Sequence, residues 1–383
     1  MNLHLMLDEK FIDGFIRDWE EHDPAEQNVY LVRDRARRSE LRHVQHPRAV
    51  CAQWGTRECE ELVENPGRYR RIFIHYLSAE LFAYVARIPR GVQVLWCFWG
   101  GDFYFPTSLY ASESLDADTR RLLGERRGAG IRGMAQAART WQHDLRWYAK
   151  KRAALSRVDF MLHWNVLDYD VVKRETGWQA RFLPFDYDGG LLLEHDPCPS
   201  PPADLWSRFA GRRVVLLGNS GTASNNHLSA LRRLHDMGLP KDVVVVCPLA
   251  YGDPRYVDDI CDAGARLLGG QFEGLRDFLP LTEYRTLLDR TDVGIMNHAR
   301  TQAGSNVIGL LCRGRRVFMN ERSTLYKLLS IGDTLVDQFD GVQDAETLFE
   351  PAEPDDVANT RHFLERRFGK KFRQRCLARI ART

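Results

Sequence analysis

The chain lacks paired cysteines: its eight are scattered, no two form a C-x-x-C, and several, such as Cys97 and Cys247, sit inside apolar runs. They read as reduced core residues of a cytoplasmic protein, which excludes a disulfide frame or a zinc site. No apolar run approaches the ~18 residues that span a bilayer. The opening MNLHLMLDEKF has no basic head, no apolar stretch of signal length and no small-residue cleavage site, so no secretory signal is expected. Internal repeats and low-complexity tracts are missing too. There is no G-x-G-x-x-G with an acid placed for a ribose, which disfavours a dehydrogenase. Net charge is only +2, and the basic excess that marks a nucleic-acid binder is absent overall.

What is present is a globular α/β pattern. At 383 residues the chain calls for two domains, and 44% hydrophobic with 28% charged residues fits a soluble protein. Strand signals at 3–7, 28–32, 71–76, 92–99 and 158–164 alternate with helix-sized segments. After the stiff Cys198-Pro199-Ser200-Pro201-Pro202 the alternation restarts, with strands at 213–217, 242–247, 265–268, 292–296 and 316–319. Helices are expected at 225–237, 255–263, 281–290, 305–312 and 322–330, and the basic run 355–380 also reads as helical. The expected organisation is a first Rossmann-like domain over 1–197, a linker over 198–204 and a second Rossmann-like domain over 205–383. Ligands of such doubly wound sheets bind outside the carboxyl ends of the strands.

Candidate functional residues cluster at those strand ends. Val214-Val215-Leu216-Leu217 breaks into Gly218-Asn219-Ser220-Gly221, followed by Ser224-Asn225-Asn226 and the helical His227-Leu228-Ser229-Ala230-Leu231. Strand, glycine turn and helix start together can aim backbone N–H groups and a helix dipole at a phosphate. Ser224 or Asn225 can equally act as a plain helix cap. A second helix start, Ser305-Asn306, follows His298-Ala299-Arg300. Arg300 supplies a guanidinium fork that suits phosphate oxygens or a surface ion pair. Two helix starts and an arginine can hold a diphosphate without metal, and no cofactor is expected. In the first half, Trp96-Cys97-Phe98-Trp99-Gly100-Gly101-Asp102 places a carboxylate on a loop with aromatic walls. Asp102 is the first choice for a general base and His75, ending its strand, the second; either can be a turn or structural residue instead. Tyr251 and Tyr284 could pack on a nucleobase or belong to the core, and Asn320 could touch a donor or open a turn.

Charge is unevenly spread. Residues 120–157 carry eleven Arg or Lys against two acids, interleaved with Trp141, Trp147 and Tyr148. A basic helical stretch of this kind suits an anionic membrane surface or a solvated helix with one buried face.

These pieces, in this order and spacing, resemble glycosyltransferase family 56, the bacterial TDP-N-acetylfucosamine:lipid II N-acetylfucosaminyltransferases of enterobacterial common antigen synthesis. The likeness runs from about Arg70 to Leu329. It is carried by Trp99-Gly100-Gly101-Asp102 with Tyr104, Leu217-Gly218-Asn219-Ser220-Gly221 with Ser224-Asn225 and His227, Pro248, Tyr251, Tyr284, Asp292 with Gly294, Ala299-Arg300 with Gln302, and Asn320. Asn226 stands where that pattern has an acid, and His298 where it has an aromatic residue. The resemblance implies a GT-B architecture with a central cleft, a nucleotide-sugar donor on the second domain and a lipid-linked acceptor. It also implies a place at the cytoplasmic face of the inner membrane and a last helix crossing back onto the first domain. The expected reaction moves a 4-acetamido-4,6-dideoxyhexose from TDP to an undecaprenyl-diphosphate-linked saccharide. The alternatives are a two-domain sugar-nucleotide epimerase and a non-catalytic nucleotide-sugar-binding protein.

Overall fold

A computed structural model describes residues 1–24, 27–33, 40–54, 56–104, 114–125, 131–187 and 209–383. The expected linker 198–204 and the side chain of Trp141 lie outside the described part. The chain forms two compact units. The first comprises 1–110, 137–189 and 368–383, and the second 111–136 and 190–367. Two segments thus depart from a single boundary near residue 200. Residues 111–136 belong to the second unit, although they fall in the first half of the sequence, and 368–383 belong to the first.

The sheet of the first unit holds seven strands: β1 (Asn2–Leu7), β2 (Asn28–Arg33), β3 (Ala49–Cys51), β4 (Arg71–His75), β5 (Gln93–Cys97), β6 (Phe160–His163) and β7 (Arg181–Pro184). Their order is β3-β2-β1-β4-β5-β6-β7, and every pairing is parallel. Covering both faces requires continuous apolar strands, and β1 is buried along its whole length. Alternate residues of β4 feed different cores: Ile72 and Ile74 pack with Leu3 and Val94, Phe73 with Phe15 and Trp19. The last helix, Lys370–Ala381, places Leu377 and Ile380 in the second of these cores. Arg71, fully buried at the start of β4, donates to the carbonyls of Ile380 (3.4 Å) and Ala381 (3.0 Å) and pairs with Asp23 at 3.6 Å. A cation at the carbonyl end of a helix offsets its dipole.

The sheet of the second unit holds β8 (Arg213–Leu217), β9 (Val243–Pro248), β10 (Phe272–Leu275), β11 (Val293–Met296), β12 (Arg316–Met319) and β13 (Val336–Gln338), in the order β10-β9-β8-β11-β12-β13, again all parallel. Strand order reverses between β8 and β11, so the loops after these strands flank the switch point where doubly wound folds bind ligands. One expected strand is overturned. Residues 265–268 are the tail of the helix Pro254–Leu268, whose Tyr256, Ile260, Ala263, Gly264 and Leu268 line one buried face, and Gly269 ends it. The strand that follows is β10, whose first three residues are only half-buried.

Residues 114–125 dock on the second unit. Asn226, in the left-handed region (φ 52°) that asparagine tolerates, accepts from the Asp116 N–H (2.9 Å) and donates to the Ser114 carbonyl (3.1 Å). Asp116 takes the Ser229 hydroxyl, and Arg232 pairs with Asp118 at 2.5 Å. The helix Ala117–Glu125 therefore turns Leu122 and Leu123 against the core of this unit.

Five histidines are buried among the described residues, and four of them have lowered pKa values: His4, His75, His227 and His298. Burial lowers the pKa of His4 and His227 to about 3 and holds those of His75 and His298 well below the usual value. All four are neutral when folded and take up protons near pH 6.5 only on unfolding. Their contribution is therefore complete above about pH 6.5 and falls as pH drops towards about 3, by up to ~1.4 kcal/mol per pH unit for each. Calorimetry is expected to show Tm falling already between about pH 6.5 and 5, with a shallower slope in His4→Gln.

Candidate functional site

In the second unit the glycine loop is built around one side chain. Asn225 is fully buried. Its Oδ1 accepts from the Asn219 N–H (3.0 Å) and lies 2.7 Å from His298 Nε2. Its Nδ2 donates to the Thr222 carbonyl (3.0 Å), Thr222 Oγ1 (2.9 Å) and Ser220 Oγ (3.2 Å). His298 must carry its proton on Nε2 to donate here. Gly218 sits at φ 70°, and a Cβ there would come within 2.7 Å of both Asn225 Oδ1 and His227 Nε2. Gly221 and Gly252 touch backbone to backbone. The Gly221 N–H donates to the Tyr251 carbonyl (2.7 Å), and its carbonyl accepts from Asp253 (3.1 Å). A Cβ on Gly252 would lie 2.2 Å from the Gly221 carbonyl.

This construction corrects the reading of the loop as an amide cradle. The N–H groups of Gly218, Asn219 and Gly221 are taken by Ile295, Asn225 and Tyr251. Only that of Ser220 has no partner among the described residues. The side chains instead link the loop to the segment after β11. Gln302 accepts from Ser224 Oγ (2.7 Å) and donates to Asn219 Oδ1 (3.1 Å) and Thr222 Oγ1 (3.2 Å). Gln302, part of the sequence pattern, was not singled out as a site residue; its position two after Arg300 is the signal it offered.

Arg300 is buried and donates to the Thr301 carbonyl (3.0 Å) and Ser224 Oγ (3.4 Å). Four residues later the helix Gly304–Cys312 begins. No side chain caps it, and Ser305 is exposed. Its first N–H groups are those a helix leaves without intrahelical partners. Asn306 reaches the Tyr284 phenol, whose pKa burial and the neighbouring Tyr251 push up. Tyr251 is 57% exposed and takes the Asn219 amide at 3.4 Å. The structure thus gathers Asn219, Ser224, Tyr251, Tyr284, Arg300, Ser305 and Asn306 at the carboxyl edge of this sheet. Asn320, buried after β12, donates to Asn297 Oδ1 at 3.0 Å, and Asn297 Nδ2 in turn donates to the Asn226 carbonyl at 3.2 Å. Asn320 is a strut of that loop.

In the first unit both proposed bases are buried. Asp102 is 1% exposed, so the expectation of a carboxylate displayed on a loop is overturned. Its oxygens accept from the Leu77 N–H (3.1 Å), Trp96 Nε1 (2.6 Å) and Trp99 N–H (3.1 Å). Burial raises its pKa against these donors, and Lys151, also buried, faces it with a pKa lowered to about 7. The folding of β4 and β5 delivers those N–H groups, which the local sequence could not reveal. His75 is reached through another residue: its Nδ1 lies 2.6 Å from the Tyr187 hydroxyl and its Nε2 3.3 Å from His4 Nδ1. Neither His4 nor Tyr187 was singled out, because nothing around either marks a site. At the end of β6, His163 Nε2 meets Asp168 at 2.8 Å, both buried.

Residues 203–327 match the family model for 4-alpha-L-fucosyltransferase, glycosyl transferase group 56. Solved structures share the fold along the chain. The Anabaena protein HepE, solved in complex with UDP and glucose, is 12% identical, with a TM-score of 0.63 and all of both chains covered. A glycosyltransferase from Rickettsia africae is 9% identical with a TM-score of 0.58, covering 100% of this chain and 97% of that one. Sucrose-phosphate synthase from Thermosynechococcus elongatus is 15% identical with a TM-score of 0.57, covering 99% and 94%. Among the described residues no helix is long and apolar enough to cross a membrane. The chain is a glycosyltransferase of the GT-B fold, and its residues 203–327 carry the pattern of group 56.

Proposed function

We propose that the chain transfers a 4-acetamido-4,6-dideoxyhexose from a TDP-linked donor to a hydroxyl of an undecaprenyl-diphosphate-linked saccharide. The observation that carries this reading is the uncapped start of the helix Gly304–Cys312 beside the buried Arg300, at the switch point of the second sheet. When the bond from the sugar C1 to the phosphate oxygen breaks, negative charge grows on the diphosphate. The Arg300 guanidinium and the Gly304 and Ser305 N–H groups stabilise it there, in place before the reaction begins. The Ser220 N–H adds a further donor from the glycine loop, while the rest of that loop fixes Arg300 through Ser224. Tyr251 and Tyr284 offer faces to the nucleobase. Asp102 acts as a positioning residue that holds Trp99 and the end of β4.

The lipid-linked acceptor places the enzyme at the cytoplasmic face of the membrane. On the helix Ile131–Leu155, Arg139, His143, Arg146 and Lys150 recur at helical spacing, and all four are exposed. Trp147 lies beside them, with Lys150 5.1 Å from its ring. This stripe supports adsorption to anionic lipid more than the helix Ala117–Glu125, whose leucines are turned inward.

A thermal-shift series with TDP, UDP and GDP is expected to show stabilisation by TDP. Arg300→Ala should weaken TDP binding by about 10- to 100-fold, the worth of a charge-assisted contact. If none of the three shifts Tm, the donor site is wrong. Asp102→Asn turns an amide NH2 against N–H donors and should cost about 1–3 kcal/mol of stability in denaturant titration; an unchanged midpoint with lost turnover would restore Asp102 as the base. Arg146→Glu with Lys150→Glu should reduce sedimentation with phosphatidylglycerol vesicles about tenfold or more, at roughly 1 kcal/mol per cation removed.

A further inference from the structure

Around His75 a chain of hydrogen bonds has only one consistent polarity. Asn28 Oδ1 accepts from Asn2 Nδ2 (2.9 Å) and Trp19 Nε1 (3.1 Å), so Nε2 of His4, 3.4 Å away, faces an acceptor and carries its proton there. His4 is neutral, so its Nδ1 is a lone pair. His75 Nε2, 3.3 Å from it, must then be the donor, which leaves His75 Nδ1 as the acceptor of the Tyr187 hydroxyl at 2.6 Å. Trp99 Nε1 donates to the same hydroxyl oxygen at 3.0 Å. The Cys97 thiol, a weak hydrogen-bonding group, also contacts the Tyr187 hydroxyl. With its proton committed to His75, Tyr187 Oη offers an incoming ligand an acceptor.

This oxygen stands among rings that are only half-buried. Trp99 touches Phe11 (centroids 4.9 Å apart), Tyr76 (5.5 Å) and Tyr187 (5.8 Å), and Phe11 touches Tyr187 at 4.7 Å. The four stand just past β1, β4, β5 and β7, at the carboxyl edge of the first sheet. Tyr76 holds φ 80°, a conformation that costs a bulky residue of the order of 1–3 kcal/mol. A strained tyrosine whose ring lies against Trp99 at that edge suits a binding surface better than a fold requirement, since glycine would satisfy the backbone without strain.

We propose that Phe11, Tyr76, Trp99 and Tyr187 form a stacking surface for a pyranose ring, whose hydroxyl donates to Tyr187 Oη. Aromatic faces carry partial negative charge and attract the polarised C–H groups of a sugar face. The ligand class is a neutral or N-acetylated saccharide, and the inference rests on the transferase reading by naming where the acceptor saccharide sits.

Saturation-transfer NMR with free N-acetylglucosamine and glucose as probes tests the surface, with the TDP thermal shift as a separate readout of the donor site. Irradiating the aromatic resonances of the wild-type protein should transfer saturation to the ring C–H protons of at least one probe. Tyr187→Phe should weaken that saccharide about fivefold or more, the loss of one hydrogen bond. Tyr76→Gly should abolish the transfer while Tm stays within about 3 °C of wild type, because the relaxed backbone offsets the lost ring contacts. No transfer to either probe, or undiminished transfer in Tyr76→Gly, overturns the proposal even where TDP still binds. Saccharide binding without any TDP shift leaves the surface standing and removes the transferase reading instead.

Discussion

The buried carboxamide of Asn225 sets the geometry on which the carboxyl edge of the second sheet depends. One oxygen and one NH2 group hold Asn219, Ser220, Thr222 and His298 in a single arrangement, and Gly218 can carry no side chain against it. Inside a protein such a group is costly unless fully engaged, so its partners are fixed as firmly as packed hydrocarbon would be. The glycine loop is therefore a shaped wall. It spends its amides on its own shape and passes rigidity, through Ser224 and Gln302, to the loop that carries Arg300.

The first unit follows the same logic with a carboxylate. Asp102 collects N–H groups from the ends of β4 and β5 and leaves Trp99 in one position. In both units the most deeply buried polar groups at the strand ends serve the protein. The groups with access to solvent are the next layer out: Tyr251 and Ser305 in one unit, Trp99 and Tyr187 in the other. A polar side chain that is already saturated makes a poor base, and a neighbour that it holds still makes a good contact.

Much of the fold was legible because parallel sheets demand continuous apolar strands. Arg213–Leu217 and Arg316–Met319 stand where the apolar runs placed them. The edge strands β3, β7 and β13 are short and partly exposed, and gave no such signal. The apolar residues 265–268 misled as a strand because only the spacing back to Tyr256 shows their helical face. Of the candidate site, the placing of Arg300, Tyr251 and the helix start at 305–306 at the carboxyl edge of the sheet could be read from turn and helix chemistry. The burial of Asp102 could not, since its three donors come together only in the folded sheet. Tyr187 was equally hidden: Phe185-Asp186-Tyr187 says nothing of His75, 112 positions away.

The interleaving of the chain bears on how the protein is made. The first unit takes its closing helix from residues 370–381, after the whole of the second unit's sheet, and Arg71 waits for carbonyls more than 300 positions downstream. During synthesis the apolar flank formed by Phe15 and Trp19 emerges long before Leu377 and Ile380 exist to shield it. Ribosome-bound chains must carry that open flank while the second unit is translated. A ribosome that stalls before the last turn of helix releases a product with a raw hydrophobic side, a natural substrate for chaperones and proteases.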